Sequence, residues 1–262
     1  MGISSILAIL FTMVFSAALP IGLMFFFWRK GGKWTSFLVG AAVFILFAMI
    51  LESILHNVVF LTPLWDVLQG NIWLYGLYGG LAAGVFEETG RFLAFKLFLK
   101  QARDPITALS YGAGHGGAEA ILMVSLTMVN NLVLAATVSS GILTDPAILE
   151  LAAQLAATPA GTFLWAALER VSAVTLHLSL SVLVFAAVRL PGKMWLFPAA
   201  ILIHAALDFM AAVAGAYLPA AVMEIIILAY AVLAALFART VYRALKAAAR
   251  ESAPQSEARE NP

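Results

Sequence analysis

The chain has no cysteine among its 262 residues. This excludes a disulfide framework, a thiolate nucleophile and any metal site built on sulfur ligands. Charge is scarce as well. Asp, Glu, Lys and Arg together make 11% of the residues, against about 25% in soluble domains. With a net charge of +1 and no basic patch beyond the ends of the apolar stretches, nucleic acid is not an expected partner. What remains is 63% hydrophobic, the composition of an integral membrane protein.

About 20 mostly apolar residues are needed to cross a bilayer. Seven stretches qualify: Ile3–Phe27, Ser36–Leu61, Ile72–Leu99, Ile106–Val138, Thr162–Val188, Met194–Tyr217 and Ala220–Leu245. The expected fold is therefore an all-α bundle of about seven transmembrane helices in the cell membrane, one polytopic domain over residues 1–250. A polar, disordered tail is expected over 251–262. Ile3–Phe27 has no basic segment before it and is expected to be a retained span rather than a cleaved leader. The fourth stretch is long enough to be tilted or broken. The connection Ser139–Gly161 is expected to carry a short interfacial helix over Ala147–Ala157.

Alternate connections differ in charge. Arg29, Lys30 and Lys33, then Lys100 and Arg103, then Arg189 and Lys193, then Arg239 to Arg250 fall at one set of ends; the other set holds Asp66, Asp145 and Glu150. The positive-inside rule then predicts the N-terminus outside and the C-terminus inside.

Within this apolar frame lies Glu87-Glu88-Thr89-Gly90-Arg91. A charge at the bilayer centre costs at least about 2.5–3.5 kcal/mol, so three ionisable groups in five residues imply a protein-lined or wet environment. Counted from the basic ends, Glu87 and Glu88 on the third span, His115 on the fourth, His177 on the fifth and His204 on the sixth lie about nine to twelve residues deep. At 1.5 Å per residue they share one plane, roughly 15 Å below the surface. Glu119 and Asp208 follow one turn deeper, on the helix faces of His115 and His204. Gly76, Gly80 and Gly84, in line with Glu88, and Gly112 with Gly116 beside His115, predict close approach of the third and fourth spans. The glycine-rich run 112–117 predicts a kink there. The expected cavity opens toward the cytoplasmic half and is lined by Glu87, Glu88, His115, His177, His204 and Asp208. Glu169 with Arg170, and Glu52 with His56, are expected to be structural pairs nearer the outer face, and Glu224 to snorkel outward.

Paired carboxylates with histidines suit water activation. A carboxylate beside an imidazole can take a proton from water and return it to a leaving amine, and His204 with Asp208 can serve a developing oxyanion. Three histidines, His115, His177 and His204, with a carboxylate equally suit zinc. No HExxH or other local zinc signature chooses between these chemistries.

Glu87-Glu88-Thr89-Gly90-Arg91, Tyr111-Gly-Ala-Gly-His115-Gly-Gly-Ala-Glu119 and His204-Ala-Ala-Leu-Asp208 resemble the YhfC family of intramembrane proteases. That family is similar to the wider group of CAAX prenyl endopeptidases, bacteriocin-processing proteins (CPBP) and PrsW. The resemblance implies hydrolysis of a peptide bond by glutamate-activated water. Glu87 would be the base, His115 would share the water, His204 and Asp208 would hold the oxyanion, and Glu88 and Arg91 would shape the site. Only Thr89 and Gly90 separate Glu88 from Arg91, where the CAAX-type pattern has three residues; this leaves open which glutamate is the base. Tyr111 stands where Phe is usual, and the second motif offers both His115 and Glu119. His177 has no counterpart in the pattern, yet shares the plane; it is a candidate supporting group or metal ligand.

The resulting expectation is an intramembrane endopeptidase of glutamic or metal-assisted type, with a membrane protein or hydrophobic peptide as substrate, the lipid bilayer as surroundings and zinc as the cofactor such a set would take. The alternative is a proton- or ion-coupled transporter, for which Glu52, Glu169 and Glu224 would complete a path to the outer face; no inverted repeat supports it. A retinal receptor is excluded, because the last span has no lysine before Lys246 at its end.

Overall fold

The computed structural model describes residues 1–251. Apart from Glu251, the polar tail expected over 251–262 lies outside the described residues. Every regular element among the described residues is helical. Six helices are long and apolar enough to cross a membrane: Ile3–Arg29, Trp34–Phe60, Ile106–Ser139, Ala160–Arg189, Leu196–Tyr217 and Ala220–Glu251. The third expected span is the 22-residue helix Ile72–Leu93, continued by the π-helical Ala94–Phe98. It is long enough to cross, but Glu87, Glu88 and Arg91 interrupt its apolar run and it is not among the six. The seven are called here the first to seventh spans, in chain order. The short helix expected after the fourth is Pro146–Ala157.

Local chemistry sets the boundaries. Asn71 starts the third span by accepting from the backbone N–H groups of Trp73 and Leu74, and Asp145 does the same for Ala147 and Ile148, with Pro146 at the first helical position. Gly31 and Gly192, at φ 93° and 71°, make the tight turns at the basic ends. The fourth span does not kink at its glycines. Residues Ile106–Glu119 form regular α-helix, and the irregularity is the π segment Ala120–Ser125 just beyond them. A third π segment, Ile45–Glu52, lies in the second span.

Glycine sets which spans touch. Methyl groups added at Gly80 and Gly84 would strike backbone atoms of Ala205 and Ile201, so the glycine row of the third span packs on the sixth span, antiparallel, and not on the fourth as expected. Gly112 and Gly116 instead receive the fifth span at His177, Leu178 and Ser181, while Gly114 and Gly40 seat the second span against the fourth. Small residues mark a close face, but the partner is decided by the whole bundle.

The half of the bundle nearest the basic ends is a dry core. Tyr111, Phe95, Phe185, Leu180 and Leu183 are fully buried, with the Phe95 ring 4.7 Å from Tyr111 and 5.1 Å from Phe185. Arg189 closes this end by donating to the carbonyls of Phe95, Leu99 and Ala102. Glu224 is buried rather than snorkelling.

Candidate active site

The third span carries Glu87 and Glu88 on consecutive positions, about 100° apart around a helix, so the two carboxylates meet different neighbours. Glu88 is fully buried. Its oxygens accept two hydrogen bonds from Nη1 of Arg91, one turn later, each 2.8 Å. Oε1 also accepts from Nδ1 of His204 on the sixth span at 2.9 Å. Glu87 turns toward the fourth span, where its Oε2 lies 2.8 Å from Nε2 of His115.

The partners assign the imidazole protons. Arg91 Nη2 can only donate, so Nδ1 of His177, 3.0 Å away, accepts. The Nε2–H of His177 then donates to Oε2 of Glu119 at 2.6 Å. The other oxygen of Glu119 accepts from Arg170 at 2.6 Å, and Arg170 also binds Glu169. Asp208 stands 3.5 Å from Nε2 of His204, with its side chain about a third exposed.

All eight residues expected from the sequence therefore join one network. The ring centres of His115 and His177 are 4.9 Å apart, and those of His177 and His204 are 5.4 Å apart. The shared depth of the histidines is thus also a shared location. The main surprise is Arg170. Instead of forming an outlying pair with Glu169 alone, it is 5% exposed and supplies the countercharge for Glu119. The available signal was the unmatched acid at Glu119, which needed a cation from another span.

Donor atoms of Glu87, His177 and His204 lie within 4.8 Å of one another, all three side chains buried. Two imidazoles and a carboxylate are a hard-to-intermediate N/O set suited to a divalent metal. Each of the two imidazoles is also backed by a carboxylate on its other nitrogen, Glu119 behind His177 and Glu88 behind His204, the arrangement that orients metal-binding histidines. The residues fit a metal on these grounds, provided that the ion takes the place of Arg91 at Nδ1 of His177, the nitrogen that Glu119 leaves free. His115 stands apart from this trio: its Nε2 is committed to Glu87, and its Nδ1 is buried without a hydrogen-bond partner.

Three cavities reach the cluster. One of about 450 Å³ is lined by Met49, Glu52, His56, Glu87, Glu119 and Arg170, among others. A second, about 240 Å³, runs past His56, Tyr75, Tyr78 and Gly79 to Asp208. A third, about 100 Å³, sits among Glu87, Glu119, His177, His204 and Asp208. Glu88 and His115 line none of the three. Measured along the spans, these cavities extend from the cluster away from the basic ends, opposite to the direction expected. The aromatic core around Tyr111 fills the other side.

Comparison with known proteins extends these observations. The family model described as YhfC intramembrane metalloprotease matches residues 15–228, which contain every residue of the network. A relative in Bacillus subtilis (strain 168), described as the uncharacterized membrane protein YhfC, is 36% identical over 244 residues, covering 87% of this chain and 91% of that protein. No solved structure matches the chain significantly. Six apolar helices and a membrane-protein relative make it a multi-pass membrane protein. The chain belongs to the YhfC intramembrane metalloprotease family.

Proposed function

We propose that this protein is an intramembrane endopeptidase that hydrolyses a peptide bond of a membrane-embedded or membrane-associated substrate, with water activated at Glu87. The observation that carries the reading is the difference between neighbouring glutamates. Glu87 lines two of the cavities and meets His115 and the His177–His204 pair. Glu88 lines none of them and is neutralised by Arg91.

In this reading Glu87 takes the proton of the attacking water and delivers it to the leaving amine. His115 donates from Nε2 to Glu87 and holds the carboxylate at the cavity floor. His177 and His204 would be imidazole ligands to the metal that the family's description implies, with Glu87 close enough to share its water and zinc the ion this N/O set suits; once bound it would supply a Lewis acid toward the water and the scissile carbonyl. Glu88 orients His204, Glu119 orients His177, and Arg91 links Glu88 to His177. With Nδ1 of His204 given to Glu88 and its Nε2 left for the metal, His204 has no N–H free for the oxyanion role expected of it, and Asp208 lines the pocket beside it. A transporter would need a polar path to both faces; among the described residues, none of the three cavities that touch the cluster is lined by Phe95, Tyr111 or Phe185, which pack together on its other side.

The test is cleavage of a synthetic transmembrane peptide by the purified protein in detergent or nanodiscs, with elemental analysis of the same preparation. The reading predicts stoichiometric divalent metal and cleavage that a chelator abolishes. Full cleavage by folded Glu87→Gln would overturn it.

A further inference from the structure

The second and fourth spans run in the same direction and are locked together near their basic ends. There Gly40 meets Tyr111 and the His115 N–H, and Gly114 meets Phe37. Both spans then pass into π segments, Ile45–Glu52 and Ala120–Ser125. From there they follow different neighbours: Ile45–Glu52 packs on the third span, and Ala120–Ser125 with the helix after it packs on the first. The 450 Å³ cavity occupies the gap so opened. Two π segments at the point of divergence are a local cause for it, since each inserts a residue and redirects its helix.

The walls of this gap are of two kinds. Phe44, Ala48, Met49 and Met123 are apolar, and Met49 and Met123 are exposed at the rim, where a spanning bundle meets lipid. At the back stand Glu87, Glu119 and Arg170. Toward the mouth, His56 Nδ1 lies 2.7 Å from the Tyr78 hydroxyl and His56 Nε2 lies 3.2 Å from Glu52. His56 and Tyr78 also line the 240 Å³ cavity that ends on Asp208. The cluster thus has one approach facing the bilayer and a second, lined by aromatic rings and glycines, that carries His56, Tyr78 and Asp208, both on the side away from Lys100, Arg103, Arg189 and Lys193.

We propose that the cluster is reached from the end of the bundle opposite the basic connections, through the cleft between the second and fourth spans. By the positive-inside rule that end is extracytoplasmic. Resting on the protease reading, this defines the substrate: an apolar polypeptide segment that enters from the bilayer with its scissile bond in the outer half of the membrane. The volume of the cleft is in the range that encloses a short stretch of extended chain.

Because the chain has no cysteine, single cysteines report access directly and without turnover. Ser53→Cys probes the cleft. Gly79→Cys probes the second approach, where an added methyl meets no atom within 4 Å. Ser140→Cys and Lys193→Cys mark the two ends of the bundle. Each full-length variant is treated with a membrane-impermeant charged maleimide in intact cells and in inverted vesicles. Both probes should react in the preparation that labels Ser140→Cys, at least about ten times faster than in the one that labels Lys193→Cys. Reaction of both on the Lys193 side would overturn the proposal, as would no reaction from either side. Reaction at Gly79 with none at Ser53 would overturn the cleft as the route. A protein that labels as expected but cleaves no peptide would count against the protease reading and leave the direction of access standing.

Discussion

Arg91 grips Glu88 within one helix and His177 on another, with hydrogen bonds of 2.8 and 3.0 Å, and is itself fully buried. One guanidinium therefore neutralises the acid that holds His204 and fixes the tautomer of His177. Removing one member of a buried ion pair leaves an uncompensated charge in a low-dielectric site, a loss of about 3–5 kcal/mol. Arg91→Met is expected to lower unfolding stability by that amount, and Arg91→Lys to recover only part of it, because an ammonium lacks the planar fork. Reversible unfolding in mixed micelles, with helical circular dichroism as the signal, measures both.

The two glutamates should separate by phenotype. Glu87→Gln keeps a hydrogen-bonding side chain beside His115 and removes the proposed base. Cleavage is expected to fall by about 10²- to 10⁴-fold with little change in stability. Glu88→Gln strands Arg91, so its principal loss is expected in stability. Initial rates on the transmembrane peptide, paired with unfolding curves, distinguish the two, and equal stability losses in both variants would contradict the assignment.

Metal content should divide the histidines. His177→Ala and His204→Ala each remove a donor of the trio and are expected to leave the purified protein largely without metal. His115→Ala is expected to keep the metal and lose activity, since His115 lies outside the trio and hydrogen-bonds Glu87, the proposed base. Weakening a supporting carboxylate by Glu119→Gln should reduce metal affinity by about 10- to 100-fold. Inductively coupled plasma mass spectrometry on the variants, with competition by a chelator of known affinity, reads all four.

Glu119 and Arg170 should behave as a coupled pair. A double-mutant cycle with Glu119→Gln and Arg170→Gln is expected to give an interaction energy of about 0.5–3 kcal/mol. Additive effects would mean that Arg170 serves Glu169 alone.

The glycine row tests how the network is positioned. Gly80→Val places methyl groups against the backbone of Ala205 and Phe209, forcing the third and sixth spans apart and Glu88 away from His204. A loss of about 1–3 kcal/mol or more is expected from overpacking, together with lost metal. Gly79→Val, one position away and in open space, should leave stability nearly unchanged.

Much of this was legible in the residues themselves. Hydrophobic length places the spans, because a bilayer accepts only segments of one range of lengths, and constant helical rise places Glu87, His115, His177 and His204 at one depth. Glycine spacing identifies close faces, and capping residues such as Asn71 and Asp145 mark where helices begin. These are local quantities, counted along one chain segment at a time.

Tertiary packing decided the rest. A helix period says which residues share a face, but not which neighbouring helix that face meets. Hence the row Gly76-Gly80-Gly84 found the sixth span, Glu119 found Arg170, and Glu87 and Glu88 parted by one helical step into a cavity and an ion pair. The side on which the cavities open was settled by where Phe95, Tyr111 and Phe185 interlock and where two π segments let the second and fourth spans separate. Both are properties of contacts between distant segments, which no count along the chain contains.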